Sequence, residues 1–233
     1  MEFEAVYIVP KSGRVKFLGR NCCTAKVRGE NGKELEIWLG DSGPWVNVPC
    51  ESRAVRLRLE ITLEDAADFS GLFAGCSELL EISGLDTCNG VNFTKTFWSC
   101  SNLASVPLLD THNGENFNAM FGECPNLESV PVLDTHNGAD FSLMFWNCSK
   151  LASVPLLDTH NGVNFSWLLG GCLNLESVPL LDTHNGENFS GMFAGCLNLE
   201  SVPAIDTHNG TDFSMMFWNC PMVPEWAKGL NVA

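Results

Sequence analysis

All five histidines of the 233-residue chain stand in one column, His112, His136, His160, His184 and His208, each 24 residues from the last, with Cys88 at that position in the first copy. If equivalent segments lie side by side at strand spacing, about 4.8 Å, neighbouring imidazoles could share a transition metal. An aspartate column runs two residues earlier, Asp86, Asp110, Asp134, Asp158, Asp182 and Asp206, and could present oxygens to calcium. The Asp-Thr-His-Asn-Gly motif that holds both columns favours a plainer role, a turn whose aspartate accepts backbone N–H groups and which forms a ladder simply because it is duplicated. A third column, Cys76, Cys100, Cys124, Cys148, Cys172, Cys196 and Cys220, reads as buried, reduced small hydrophobes. The other four cysteines, Cys22, Cys23, Cys50 and Cys88, could form disulfides within or between chains. No Gly-rich phosphate loop, no catalytic carboxylate pair outside the repeats and no nucleophile beside a histidine stands out. The expectation is no enzyme and no cofactor.

These columns need elements to hold them. Phe69, Phe93, Phe117, Phe141, Phe165, Phe189 and Phe213 keep the same 24-residue step. In the unit from Asn188 to Thr211, Phe189, Met192, Phe193 and Cys196 fall at i, i+3, i+4 and i+7, which predicts a short helix with one apolar face. Leu199, Val202 and Ile205 then predict a short extended segment ending in the Asn-Gly turn. A unit this small cannot bury its apolar side alone, so stacking is required. The expected fold is an α/β repeat solenoid over residues 62–223, a leucine-rich-repeat-like stack of about seven 24-residue units with short parallel strands and short helical turns. Residues 1–61 predict a small antiparallel β-domain that caps, anchors or oligomerises: Val55, Leu57, Leu59 and Ile61 alternate with Arg56, Arg58 and Glu60, the period of a half-buried strand. Phe3 to Val9, Val15 to Leu18 and Leu35 to Leu39 complete four to six strands, with Asn31-Gly32 as a hairpin turn. Residues 224–233 read as a C-terminal cap, since Pro221, Pro224 and Trp226 break the repeat.

Composition narrows the partners. Hydrophobic residues make up 45% of the chain, enough for a real core and too many for disorder. Residues 1–60 hold 10 of 13 Lys and Arg and 8 of 28 Asp and Glu, a net of +2; the remainder carries −17. So acidic a repeat region argues against nucleic acid, whose binding needs a basic surface. No apolar run approaches the roughly 18 residues of a membrane span and no secretory signal is visible, so neither is expected.

Binding is expected at positions that vary between copied units. Two and five residues after the first Phe of a copy, side chains should point sideways or outward. There stand Lys95, Leu143, Trp167 and Met215, and Trp98, Trp146 and Trp218. Trp at such positions would anchor a protein interface or stack on sugar rings. The alternative is that these Trp fill gaps between neighbouring turns.

The pattern Met-Phe-x-x-Cys-x-x-Leu-x-Ser-Val followed by Asp-Thr, over residues 68 to 223, resembles the BspA-like, or Mycoplasma-lipoprotein-type, leucine-rich repeats of bacterial surface proteins. It also resembles repeats of phage structural and receptor-binding proteins. The resemblance implies a non-enzymatic binding or structural role at a virion or extracellular surface: a phage decoration or receptor-binding component first, a BspA-like bacterial adhesin as the alternative. Its partners would be a protein or cell-surface glycan, with other virion subunits met through the N-terminal domain and homo-oligomerisation as a further option. A third reading, drawn from the His column and not from the resemblance, is a metal-binding or catalytic protein that uses that column.

Overall fold

A computed structural model describes residues 1–19, 23–41, 43–48 and 53–230. The alternating pattern of the N-terminal region becomes sheet. Strands β1 (Glu2–Ile8), β3 (Cys23–Arg28), β6 (Ala54–Leu63) and β7 (Leu79–Ser83) form an antiparallel sheet in the order β3-β6-β1-β7; β2 (Arg14–Lys16), β5 (Trp45–Asn47) and β4 (Ile37–Trp38) form a second, in the order β2-β5-β4. Leu57, Leu59 and Ile61 of β6 are buried with Phe3, Ala5 and Tyr7 of β1, because period two sends alternate side chains to one face. On the other face Arg56 and Arg58 lie 3.5 and 2.8 Å from Glu4. The Tyr7 hydroxyl donates to the Phe17 carbonyl at 2.8 Å and so ties β1 to the segment after β2. Asn31-Gly32 does turn a hairpin: Gly32 adopts φ 74° and Gly29 N–H donates to Lys33 at 3.0 Å. Of the strand expected at Leu35 to Leu39 only Ile37–Trp38 is ordered as strand, and Leu39 is exposed.

The α/β repeat solenoid is not what forms. Among the described residues there is no α-helix, only one 3-10 turn at Glu225–Ala227, and every named strand belongs to the two antiparallel sheets. Where a helix is expected, each copy has two four-residue β-turns in tandem. In the copy that begins at Phe141 these are Phe141–Met144 and Phe145–Cys148, closed by Met144 N–H to Phe141 O (3.2 Å) and Cys148 N–H to Phe145 O (3.1 Å). Their third residues, Leu143 (φ 59°) and Asn147 (φ 58°), are left-handed, as a type II turn requires, and a left-handed residue stops a right-handed helix. Corners one, four, five and eight of two such turns are Phe141, Met144, Phe145 and Cys148, all fully buried. An i, i+3, i+4, i+7 pattern over eight residues therefore fits tandem turns as well as a helix.

The remaining amides bind the copies together. Phe141, Leu143, Phe145 and Asn147 donate to the carbonyls of Asn164, Ser166, Leu168 and Gly170 at 2.8–3.0 Å, and Ser142 N–H donates to Asp140 Oδ1 at 2.9 Å. Thus every amide of the double turn is satisfied. Isolated parallel bridges such as Asn116↔Asp140 and Ser105↔Ser129 replace the expected parallel strands. Inside, the first Phe column stacks without interruption from Phe69 to Phe213 with ring centroids 5.5–5.8 Å apart. A second ladder runs Phe73, Phe97, Phe121, Phe145 at 5.3–5.6 Å. Strand β7 comes from the first copy yet pairs with β1, Ala5 opposite Ile82, so the core is continuous from the N-terminal sheet into the copies.

Candidate docking face

The Asp-Thr-His-Asn-Gly motif has a structural use at each residue. In Thr111 to Gly114 the Gly114 N–H closes a turn on the Thr111 carbonyl at 2.8 Å. Thr111 Oγ1 donates forward to the Asp134 carbonyl (2.8 Å), while Asn137 Nδ2 donates back to the His112 carbonyl (3.0 Å). A Cβ on Gly114 would strike the Phe117 ring, so glycine is required by close approach. Asp110 Oδ1 accepts from the His112 backbone N–H at 3.3 Å and lies 2.6 Å from its ring Nδ1; the same pairing recurs at Asp134, Asp158, Asp182 and Asp206 at 2.6–2.7 Å. No group of three or more His, Cys, Asp or Glu is placed to hold a metal among the described residues.

These pairs set an acid limb. The neighbouring His side chain is the main reason that the carboxyls of Asp110, Asp134, Asp158 and Asp182 sit below their ordinary value; for Asp206 the His208 backbone N–H contributes most. A carboxylate with a depressed folded pKa adds stability that is complete above its unfolded value, about 3.9, and is lost as pH falls through the folded one. These aspartates should leave the melting temperature unaffected from neutrality to about pH 5 and should lower it below about pH 4. Asp134→Asn combined with Asp158→Asn is expected to flatten that limb; a double variant with the wild-type acid limb would contradict the assignment.

Beside the aspartates lies a row that the sequence reading missed. Leu108, Val132, Leu156 and Leu180 are 76%, 67%, 64% and 65% exposed, whereas the next residue in each copy, Leu109, Leu133, Leu157 and Leu181, is buried. In extended chain, adjacent side chains point oppositely, so of the two apolar residues in Pro-Leu-Leu-Asp only one can enter the core. That rule was the available signal. The row floors two adjoining grooves: one of about 680 Å³ between Val132, Leu156, Leu180 and Ala204, and one of about 710 Å³ between Leu108 and Val132, both edged by the Asp and Thr columns. Four large aliphatics in line form an exposed apolar stripe, and each leaves up to roughly 1.5–3 kcal/mol of burial unrealised.

The Trp positions form a separate surface on the double turns. Trp98 and Trp146, two copies apart, stack at 5.7 Å over Gly122. Trp167 lies over Gly191 in the next copy. All three are half-buried, and Trp218 in the last copy is exposed, with Met215 beside it. Lys95 Nζ sits 5.7 Å above the Trp98 ring, and Leu143 is half-buried. Lys95, Leu143, Trp167 and Met215 are all left-handed residues. Bulky rings thus alternate with glycines along the stack, and sequence reasoning brought these residues together on one side but not onto the aliphatic row.

In the cysteine column six thiols donate to a carbonyl of the preceding copy, for example Cys148 to Phe121 at 3.1 Å and Cys172 to Phe145 at 3.2 Å. Burial pushes the thiols of Cys76, Cys124 and Cys196 up to about 12. Cys88 is a half-buried free thiol. Cys22 and Cys50 lie outside the described residues, as does the Cys23 side chain. No helix among the described residues is long and apolar enough to cross a membrane.

A family model described as a Mycoplasma protein of unknown function, DUF285, matches residues 67–172 and again 156–231. No curated protein and no solved structure matches the chain.

Proposed function

Because the chain belongs to the DUF285 family of Mycoplasma-type repeat proteins, we propose that it is a non-enzymatic binding protein whose docking face is the row Leu108, Val132, Leu156 and Leu180. The observation that carries this reading is the exposure of that row beside fully buried neighbours. The motif residues that suggested chemistry close turns and join copies, which supports a structural use for them. Two settings are proposed. One is a phage particle, supported by near-identical copies such as residues 173–187 and 197–211, as expected of a surface that varies by duplication. The other is a bacterial surface, supported by the resemblance of the Mycoplasma-type repeat pattern to BspA-like surface lipoproteins.

Mass spectrometry of purified particles and of the bacterial surface fraction tells the settings apart. In the setting where the chain is found, Val132→Ser, Leu156→Ser and Leu180→Ser together are expected to abolish its retention. Melting temperature should stay within about 2 °C, since exposed substitutions cost little stability. Unchanged retention would rule out this face.

A further inference from the structure

The occupant of the aliphatic row can be read from its spacing and its charge. Successive copies are joined by parallel bridges such as Ser105↔Ser129, which hold neighbouring backbones about 4.8 Å apart, their stacked core rings have centroids 5.2–5.8 Å apart, and Leu108, Val132, Leu156 and Leu180 advance by one copy each. An α-helix lying along the stack repeats a face every turn, about 5.4 Å; an extended strand repeats a face every two residues, roughly 6.6 Å. Over the three steps from Leu108 to Leu180 the row advances roughly 14–17 Å; a helix advances roughly 16 Å and stays within about half a copy of it, whereas a strand advances roughly 20 Å and runs ahead by about half a copy to a whole one.

Charge supplies the second constraint. One aspartate per copy borders the row, from Asp110 through Asp182, and its carboxylate is about half exposed. Beyond residue 60 the chain carries only Lys95, Lys150 and Lys228 against 20 acidic residues. A cationic partner is therefore favoured all along the groove and an anionic one repelled.

Resting on the reading of this row as a docking face, we infer that it takes a cationic amphipathic helix of a partner protein, with aliphatic residues at i, i+4, i+7 and i+11 and a Lys or Arg flanking them on each turn. The aliphatic stripe meets the row one residue per copy, and the flanking cations face the aspartate column, a helix-in-groove mode.

The test uses the full chain and three labelled 18-residue peptides at physiological salt, read by fluorescence anisotropy. One is a helical Leu/Lys peptide with the stated spacing, one alternates the same residues as Leu-Lys, and one is the helical peptide with Glu in place of Lys. The cationic helix is expected to bind at least 10-fold more tightly than either other peptide, and to lose at least 10-fold with Val132→Ser, Leu156→Ser and Leu180→Ser. Equal binding of the alternating or acidic peptide, equal binding to the triple variant, or no binding of the cationic helix would overturn the partner class. If the triple variant still lost retention in its native setting, the docking face would stand without this partner. If retention were indifferent to the row, the face itself would fall.

Discussion

Phe121→Ala is expected to destabilise the protein by about 3–5 kcal/mol. Phe121 is fully buried and stands in the middle of the second aromatic ladder, 5.6 Å from Phe97 and 5.6 Å from Phe145, nearly parallel to both. Truncation removes two stacked contacts at once and leaves a cavity that hydrogen bonds to the copies on both sides prevent from collapsing. A loss of this size should lower the melting temperature by roughly 10 °C or more. Phe121→Leu makes the control, because Leu169 already occupies the equivalent place in its own copy and is buried there; it should cost only about 1 kcal/mol. Urea unfolding of both variants checks the pair. An alanine variant within 1 kcal/mol of wild type would mean that the ladder is not the core.

Deleting residues 221–233 is expected to have the next largest effect. Trp226 closes the far end of the stack: its ring meets Phe217 edge-on at 5.9 Å, its Nε1 donates to the Val202 carbonyl at 3.3 Å, and Ala227 beside it is buried. Removal would bare Phe217 and Met216, both now buried. The hydrogen-bond ladder makes this end vulnerable in a second way. Each copy donates amides forward, and the N–H groups of Phe213, Met215, Phe217 and Asn219 meet no backbone acceptor among the described residues. Trp226 and Ala227 stand against this end in the full chain; without them the edge is bared, and an open edge templates association. The opposite end is closed, with Gly19 N–H and Lys16 Nζ donating to the Leu72 and Ala74 carbonyls at 2.7 Å. The truncated chain should melt at least roughly 5 °C lower and aggregate at concentrations where the full chain is monodisperse. A soluble truncation with unchanged melting temperature would contradict the capping role.

Much of the framework was legible where one periodicity has one physical cause. Alternation in Val55 to Ile61 means a strand with one buried face, and β6 is that strand. The Phe and Cys columns signalled copies in contact, and their side chains are stacked and buried. The helix failed because eight residues are too few to separate a 3.6-residue period from tandem four-residue turns. Glycines hinted at the answer: Gly71, Gly75, Gly171, Gly191 and Gly195 occupy left-handed turn positions, but Lys95, Leu143 and Trp167 at equivalent places hid the rule. The pairing of β7 with β1 spans some 75 residues and leaves no local trace. The aliphatic row was missed because Leu108 and Leu109 are both apolar and only the path of the chain decides which one is buried.

The claim on which all of this rests is that the copies are built from left-handed turns and not helices, and one position tests it by sign. Ser99 is left-handed (φ 58°) with its N–H donating to the Gly122 carbonyl at 2.9 Å. In a left-handed position glycine avoids a penalty of about 1 kcal/mol that alanine must meet, whereas inside a helix alanine is better than glycine by about 1 kcal/mol. Unfolding free energies of Ser99→Gly and Ser99→Ala, measured side by side, should show the glycine variant more stable by about 1 kcal/mol. An alanine variant more stable than the glycine variant would restore the helix and contradict the fold described here.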